Sequence, residues 1–352
     1  GAHHAASMVS YTLRRDRSLP RVSWSSVVEM KSGKSFEGES VRSFLERVRT
    51  FTERRPEREP AGSMTMEGSG IGEVVVYSMA MSPYAAAVRL LLAEKGVEYS
   101  KTEIKGMKRE QIQPWFARIN PKMTVPAVTL AGEGGVETTL TDSREALAYF
   151  EREGAPGRRL VDPAKERETW SLVDEAYAIQ LAALYCDRFR RTKPAVLEMM
   201  EDMHAKLLSE LGRLSEEEPQ LREEYEAKKR EKETYLENFV RGSGKVAENE
   251  ARAKALLDRA ESLLGPPSTQ EQEGFLFGKY SVADVVLTSL LATLLTFDCE
   301  PLQGRPNLAK YWDRVRHRPS YAKAGVVHSL PLWVRVMTSL ASAYYGGRAA
   351  IA

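Results

Sequence analysis

The chain has 352 residues, of which 42% are apolar, and its 51 basic side chains nearly balance its 49 acidic ones. This length is sufficient for two domains with large cores, and a formal net charge of +2 argues against nucleic acid as a partner. Only Cys186 and Cys299 supply thiols, and His204, His317 and His328 lack the spacing of metal ligands. We therefore predict neither a disulfide scaffold nor a metal site.

The first 72 residues precede any clear domain pattern. Arg14, Arg15, Arg17 and Arg21 stand among serines, a composition typical of an organelle-targeting segment. We expect residues 1–72 to be an N-terminal extension and linker.

A strand, a tight turn and a helix then follow in immediate succession. The valines from Val74 to Val76 predict a buried strand, and apolar residues at helical spacing between Pro83 and Gly96 predict a helix. Ser82 stands between the two elements, where a hydroxyl and helix amides can stabilise an anion. The alternative is that Ser82 is only the N-cap, since serine and proline commonly begin helices.

A second pattern of this kind contains an X-Pro bond and a polar pair. Val125 and Pro126 precede a short apolar strand, and Asp142 and Ser143 begin a helix that continues to Arg152. An X-Pro bond is the usual place for a cis peptide, and such a turn would present the backbone of Val125 to a ligand. As a capping pattern alone, Asp142 would only start its helix.

The order of these motifs resembles the glutathione-binding, thioredoxin-like domain of glutathione S-transferases. The resemblance implies that Ser82 is the catalytic residue, that the backbone of Val125 pairs with the tripeptide, and that Pro126 is the cis-proline. It also implies that Asp142 and Ser143 hold the γ-glutamyl end of glutathione, which would be the cosubstrate.

One position departs from the family pattern. Family members often carry Gly-Lys just before the Val-Pro pair, whereas this chain has Met123 and Thr124. Lys122 is out of phase with the missing lysine, so the role of that lysine is not assigned to it. Because a charge-assisted contact is typically worth about 1.5 to 3 kcal/mol, we expect glutathione to bind roughly ten- to a hundredfold more weakly without it.

The C-terminal half predicts a helical bundle. Ser281 and Asp284 form a Ser-x-x-Asp capping box before a long apolar run, which predicts a central helix. Cys186 lies in an apolar helical pattern and is predicted to be a buried thiol. The expected fold class is therefore an α/β thioredoxin-like domain at 73–155 followed by an all-α bundle at 156–329, as in glutathione S-transferases.

Residues 194–264 read as a charged helical insertion that ordinary family members lack. The pattern predicts helices at 195–214, 220–240 and 245–264, of which the last has a clear apolar face. The middle helix carries a dense run of charges, so its simplest interpretation is a solvated hairpin that projects from the body.

An elongated charged insertion of this kind resembles the ganglioside-induced differentiation-associated proteins, which are glutathione transferase relatives of mitochondrial membranes. The resemblance implies association with mitochondrial membranes, with a cytoplasmic location as the alternative. Arg335 and Arg348 interrupt the tail at 330–352. We therefore expect this tail to lie at a membrane interface or to pack on protein, and not to span a bilayer.

Two functions of different classes follow from these patterns. The first is an enzyme that binds glutathione and conjugates or reduces an electrophile, with Ser82 stabilising the thiolate. The second is a catalytically silent accessory subunit that docks into a large mitochondrial membrane complex through residues 1–72, 194–264 and 330–352. A homodimer is compatible with either function, and the sequence leaves both open.

Overall fold

A computed structural model describes residues 73–131, 137–153, 159–265 and 274–345 of the chain. The described residues between 73 and 193 and between 197 and 330 belong to one compact unit. Residues 194–196 and 331–345 belong to a second unit. The predicted N-terminal extension at 1–72 lies outside the described residues.

A four-stranded sheet begins the larger unit. Its strands are β1 (Val74–Ser78), β2 (Ser100–Glu103), β3 (Ala127–Ala131) and β4 (Glu137–Leu140), in the spatial order β2-β1-β3-β4. β1 is parallel to β2 and antiparallel to β3, and β3 is antiparallel to β4. Buried and half-buried residues alternate along β1, because successive side chains point to opposite faces of a sheet.

Three helices accompany this sheet: α1 (Pro83–Lys95), α2 (Pro114–Ile119) and α3 (Ser143–Glu153). α1 ends at Gly96, whose φ of 70° is a left-handed conformation that glycine adopts without a steric penalty. α1 and α3 pack against each other, and Val76, Leu91 and Phe150 belong to one buried apolar cluster. This arrangement confirms the predicted thioredoxin-like domain.

The remaining elements are helical, which confirms the predicted all-α part. They are α4 (Glu166–Tyr177), α5 (Leu181–Thr192), α6 (Pro194–Glu217), α7 (Arg222–Tyr235), α8 (Val246–Leu263), α9 (Val282–Thr296), α10 (Pro306–Arg316), α11 (Pro319–Ala324) and α12 (Leu332–Tyr344). A π-helical turn, Leu236–Arg241, continues α7. Among the described helices, none combines the length and the apolar character that a bilayer crossing requires.

Helix α9 is the central helix that its composition predicts. Almost all of its residues are buried, and it packs against both α1 and α4. Asp284 closes the predicted capping box, because its Oδ2 accepts from the backbone nitrogen of Ser281 at 2.9 Å and from the Ser281 hydroxyl at 2.8 Å. Its Oδ1 accepts from the backbone nitrogen of Leu276 at 3.1 Å. Burial raises the pKa of Asp284 to about 6.

The insertion does not project as a solvated hairpin, so that prediction is wrong. One face of α7 is buried, with Tyr225 0% and Lys228 4% exposed. Leu221 and Tyr225 lie four residues apart and therefore share a face, and a lysine can bury its aliphatic stem. The charge run in the sequence conceals this narrow apolar face. The cluster that it joins contains Ile112, Ala117, Met123, Leu207, Leu211, Leu214, Leu221 and Tyr225.

Candidate functional site

The pairing of the strands brings the predicted site residues to one edge of the sheet. The end of β1 pairs with the start of β3, and the start of β3 pairs with the end of β4. Ser82 follows β1, Val125 and Pro126 precede β3, and Asp142 and Ser143 follow β4. All three loops therefore leave the sheet on the same side.

Ser82 is the N-cap of α1, as the cap interpretation predicts. Its Oγ accepts a hydrogen bond from the backbone nitrogen of Ala85 at 3.2 Å, and Pro83 occupies the first turn of the helix. A hydroxyl that accepts at a cap keeps its own proton available to donate. Ser82 is half-buried, so the capping role and a ligand-binding role are compatible.

The loop that carries Ser82 is held by a residue that the sequence did not single out. Glu103, at the end of β2, accepts from the backbone nitrogen of Ala80 through Oε1 at 2.9 Å. The backbone nitrogen of Ile104 donates to the carbonyl of Ser78 at 2.8 Å. Glu103 therefore fixes the turn between β1 and α1, and only the parallel pairing of the strands could have revealed it.

The Val125–Pro126 peptide bond is cis, as predicted. Among the described residues, neither the backbone nitrogen nor the carbonyl of Val125 has a hydrogen-bond partner. The turn before it is ordered by Asn120, whose side chain donates to the carbonyl of Thr124 at 2.7 Å and accepts from the backbone nitrogen of Lys122 at 3.0 Å. The turn thus exposes one residue's backbone as a free donor and acceptor.

The residues at the family's lysine position carry no charge. Met123 is 2% exposed and packs in the apolar cluster with the insertion, and Thr124 is exposed. Lys122 is exposed as well, and its side chain has no polar partner within the described part of the chain. Neither residue at this position therefore supplies the positive charge that the family's lysine would carry.

Asp142 and Ser143 begin α3. Oδ1 of Asp142 accepts from the backbone nitrogen of Glu145 at 3.0 Å, which makes Asp142 the N-cap. Its Oδ2 has no partner among the described residues, and the side chain is exposed, so this oxygen is free for a cationic group. Ser143 is buried at the first helical position, where backbone amides favour an anion.

A buried tyrosine hydroxyl faces Ser143 from the helical part. The ring of Tyr177, the last residue of α4, packs at a tilt against that of Tyr84 of α1, with 5.4 Å between the ring centres. Its hydroxyl oxygen is buried and has no hydrogen-bond partner in the described chain, although it approaches Ser143. Burial raises the pKa of Tyr177 well above its ordinary value, so the hydroxyl keeps its proton. A cavity of about 20 Å³ adjoins the two rings.

The surroundings of the two thiols do not favour redox chemistry. Cys186 is fully buried, as predicted, and burial raises its pKa to about 11, which makes it a poor nucleophile. Burial has the same effect on the pKa of Cys299. Within the described residues, no three side chains of His, Cys, Asp or Glu are grouped as metal ligands.

Comparison with known proteins identifies the family. A sequence model of the glutathione S-transferase N-terminal domain matches residues 81–153, and one of the C-terminal domain matches residues 181–319. Together these matches cover more than half of the chain, and the first contains all five predicted site residues. The chain belongs to the glutathione S-transferase superfamily.

Several members of the superfamily are similar over most of the chain. It is 28% identical over 250 residues to glutathione S-transferase TCHQD of Arabidopsis thaliana, covering 67% of this chain and 83% of that protein. It is 25% identical over 264 residues to the tetrachloro-p-hydroquinone reductive dehalogenase of Sphingobium chlorophenolicum, covering 74% and 98%. The crystal structure of β-etherase LigF from Sphingobium sp. strain SYK-6 has the same fold, with a TM-score of 0.52, 20% identity and coverage of 71% and 98%.

Proposed function

We propose that this protein binds glutathione at the edge of its sheet and adds the glutathione sulfur to an electrophile. The observation that carries this proposal is the backbone of Val125 beside the cis-proline, whose donor and acceptor have no partner in the described part of the chain. Such a pair suits the peptide backbone of the tripeptide. Oδ2 of Asp142, which has no hydrogen-bond partner among the described residues, suits the γ-glutamyl ammonium, and the start of α3 at Ser143 suits its carboxylate.

Ser82 stabilises the reacting sulfur in this proposal. Its hydroxyl donates to the thiolate while the first amides of α1 contribute a positive potential, so the pKa of the bound thiol falls. The thiolate then attacks an electron-poor carbon and forms a carbon–sulfur bond. The leaving group departs with its electron pair, and the thiol proton passes to solvent. Relatives named as a transferase and as a reductive dehalogenase support electrophiles that carry a leaving group.

Calorimetric titration with glutathione tests the binding step. Ser143→Ala removes a hydroxyl at the γ-glutamyl position, whereas Ser262→Ala removes one that bonds the carbonyl of Asp258 on the exposed face of α8. We expect saturable binding by the wild type and by Ser262→Ala, and binding roughly tenfold weaker by Ser143→Ala. No saturable binding by the wild type up to millimolar glutathione would overturn the proposal.

The rate of conjugation tests the role of Ser82. With chlorodinitrobenzene as the electrophile, Ser82→Ala should lower kcat about ten- to a hundredfold while the KM for glutathione changes little, because the hydroxyl acts on the sulfur. An unchanged kcat would remove Ser82 from the catalytic role.

Docking into a mitochondrial membrane assembly is the second candidate function. Exposed apolar side chains support it: Met107 and Trp115, in the segment before β3, are 41% and 44% exposed. Such residues are typical of surfaces that a partner covers. Blue-native electrophoresis of source membranes tests this role, because migration only as a free monomer or dimer would contradict it. The membership in the mitochondrial branch stays a prediction.

A further inference from the structure

The insertion is fastened to the part of the chain that leads to Val125. We call residues 106–125 the presenting segment; it contains two short 3₁₀ turns, helix α2 and the turn that ends at Val125. The hydroxyl of Tyr225, on α7, donates to the backbone carbonyl of Ile112 at 3.0 Å. Tyr225 is fully buried, so this bond is made away from water.

A second set of contacts comes from α6. The carboxylate of Glu210 accepts from the side-chain nitrogen Nε of Arg109 and, through Oε1, from Nε2 of Gln113 at 2.8 Å. Arg109 has a φ of 54°, a conformation that costs energy for a residue with a side chain. Glu210 therefore holds a strained turn between the two 3₁₀ turns. Glu218, the residue that follows α6, accepts from Arg118 at 2.7 Å.

Apolar packing joins the same two surfaces. Met123 is two residues before Val125, has a φ of 50° and is 2% exposed. It lies in one cluster with three leucines of α6 and with Leu221 and Tyr225. A side chain of the turn before Val125 is therefore packed against the insertion.

We propose that α6 and α7 act as an intramolecular clamp that holds the presenting segment in the conformation that exposes the Val125 backbone. The inference rests on the proposed glutathione site, because it concerns the affinity of that site. A segment that spends only a fraction of its time in the competent conformation binds with an affinity lowered by that fraction. The clamp keeps that fraction high. The resulting gain in affinity for glutathione offsets part of the affinity that is lost without the lysine.

A clamp predicts more than stability, so the test compares two kinds of variants of the full chain. Tyr225→Phe removes the hydrogen bond to Ile112, and Glu210→Gln removes the negative charge that pairs with Arg109. Tyr235→Phe is the matched control, because it also removes a tyrosine hydroxyl from α7. This hydroxyl bonds the hydroxyl of Tyr185 at 2.7 Å and does not contact the presenting segment. Glu223→Gln is the control for charge, since Glu223 is exposed at the start of α7.

Glutathione affinity is measured by calorimetry, and amide hydrogen exchange is followed over residues 106–125 without ligand. We expect Tyr225→Phe combined with Glu210→Gln to weaken glutathione binding about tenfold and to speed exchange in the presenting segment. Both controls should retain wild-type affinity and wild-type exchange there, even though Tyr235→Phe lowers the melting temperature.

The outcomes separate this inference from the proposed function. If the wild type binds glutathione and the combined variant binds equally well, the clamp is overturned and the glutathione site stands. If Tyr235→Phe weakens binding as much as the combined variant, the effect is one of general stability and the clamp is again overturned. If the wild type does not bind glutathione, both the site and the clamp are overturned.

Discussion

Glu94 of α1 and Arg318, the residue before α11, form a two-pronged ion pair in which Nε and one terminal nitrogen of the arginine donate at 2.7 Å each. The Glu94 side chain is only 9% exposed, and the hydroxyl of Ser320 donates to the same carboxylate. The Arg318 guanidinium also lies 4.1 Å from the ring centre of Tyr280. The sheet domain and the end of the helical part are therefore joined by a charged contact of fixed geometry.

This pair should contribute measurably to stability. Glu94→Gln should lower the free energy of unfolding by about 2 kcal/mol, because charge-assisted bonds to a mostly buried carboxylate are lost. The control is Glu98→Gln, which breaks an exposed pair with Lys323 and should cost less than about 0.5 kcal/mol. Urea unfolding measures both, and equal midpoints for the two variants would contradict the assignment.

The buried pair of Lys95 and Glu151 leads to a second prediction. The side chains are 0% and 1% exposed, and Glu151 also accepts from the backbone nitrogens of Leu160 at 2.8 Å and Val161 at 2.9 Å. Lys95→Met should cost about 3 to 5 kcal/mol, since it removes the buried cation from the carboxylate and leaves, among the described residues, only Arg159, whose Nε lies 3.9 Å from Oε1 of Glu151. Adding Glu151→Gln should recover part of that loss. A double-mutant cycle measures the coupling, and strict additivity would contradict it.

Asp284 should give the protein a specific dependence on pH. Burial raises its pKa from 3.8 to about 6, so the folded state holds this proton more tightly than the unfolded state does. Protonation of Asp284 stabilises the folded state fully below pH 4. This stabilisation is lost as pH rises through 6, and the loss amounts to roughly 3 kcal/mol in the free energy of unfolding. Unfolding measured between pH 4 and pH 7 should show this loss in the wild type. Asp284→Asn should be less stable at every pH because it has one acceptor fewer. It should not show the pH-dependent loss.

The hydroxyl of Tyr177 should be dispensable for folding. Because its oxygen is buried without a partner among the described residues, Tyr177→Phe should leave the free energy of unfolding unchanged or raise it slightly. By contrast, Tyr235→Phe breaks a partly buried pair of hydroxyls and should cost about 1 kcal/mol. Thermal unfolding distinguishes the two, and a marked loss of stability in Tyr177→Phe would mean that the hydroxyl has a partner in solution.

Local signals in the sequence were enough to predict the main features of the site. Ser82 and Asp142 are caps whose polar side chains bond amides three residues away, and Pro126 is the cis-proline that the family resemblance implies at this X-Pro bond. The capping box of α9 is equally local. The caps and the capping box depend on a few consecutive residues, so their spacing predicts them, whereas the cis-proline and the ligand roles of the site residues are implied by the resemblance to the family.

The supporting residues were not predictable in the same way. Glu103 reaches Ala80 across 23 positions, and Tyr177 faces Ser143 from another domain. Such contacts depend on strand register and domain packing, which leave no mark in local composition. The prediction of a solvated hairpin is wrong for a related reason. Charged residues dominate the sequence of the insertion, whereas two apolar residues that share a face decide how α7 packs.

The bond between Tyr225 and Ile112 spans 113 positions of the chain, and the bond between Arg89 and the carbonyl of Ala324 spans 235. During synthesis, the sheet domain leaves the ribosome long before Tyr225 or Ala324 has been added to the chain. Until α7 emerges, Ile112, Ala117 and Met123 present an uncovered apolar surface on the nascent protein. A fragment that stops before residue 194 would lack α6 and α7, so we expect it to keep these three side chains exposed.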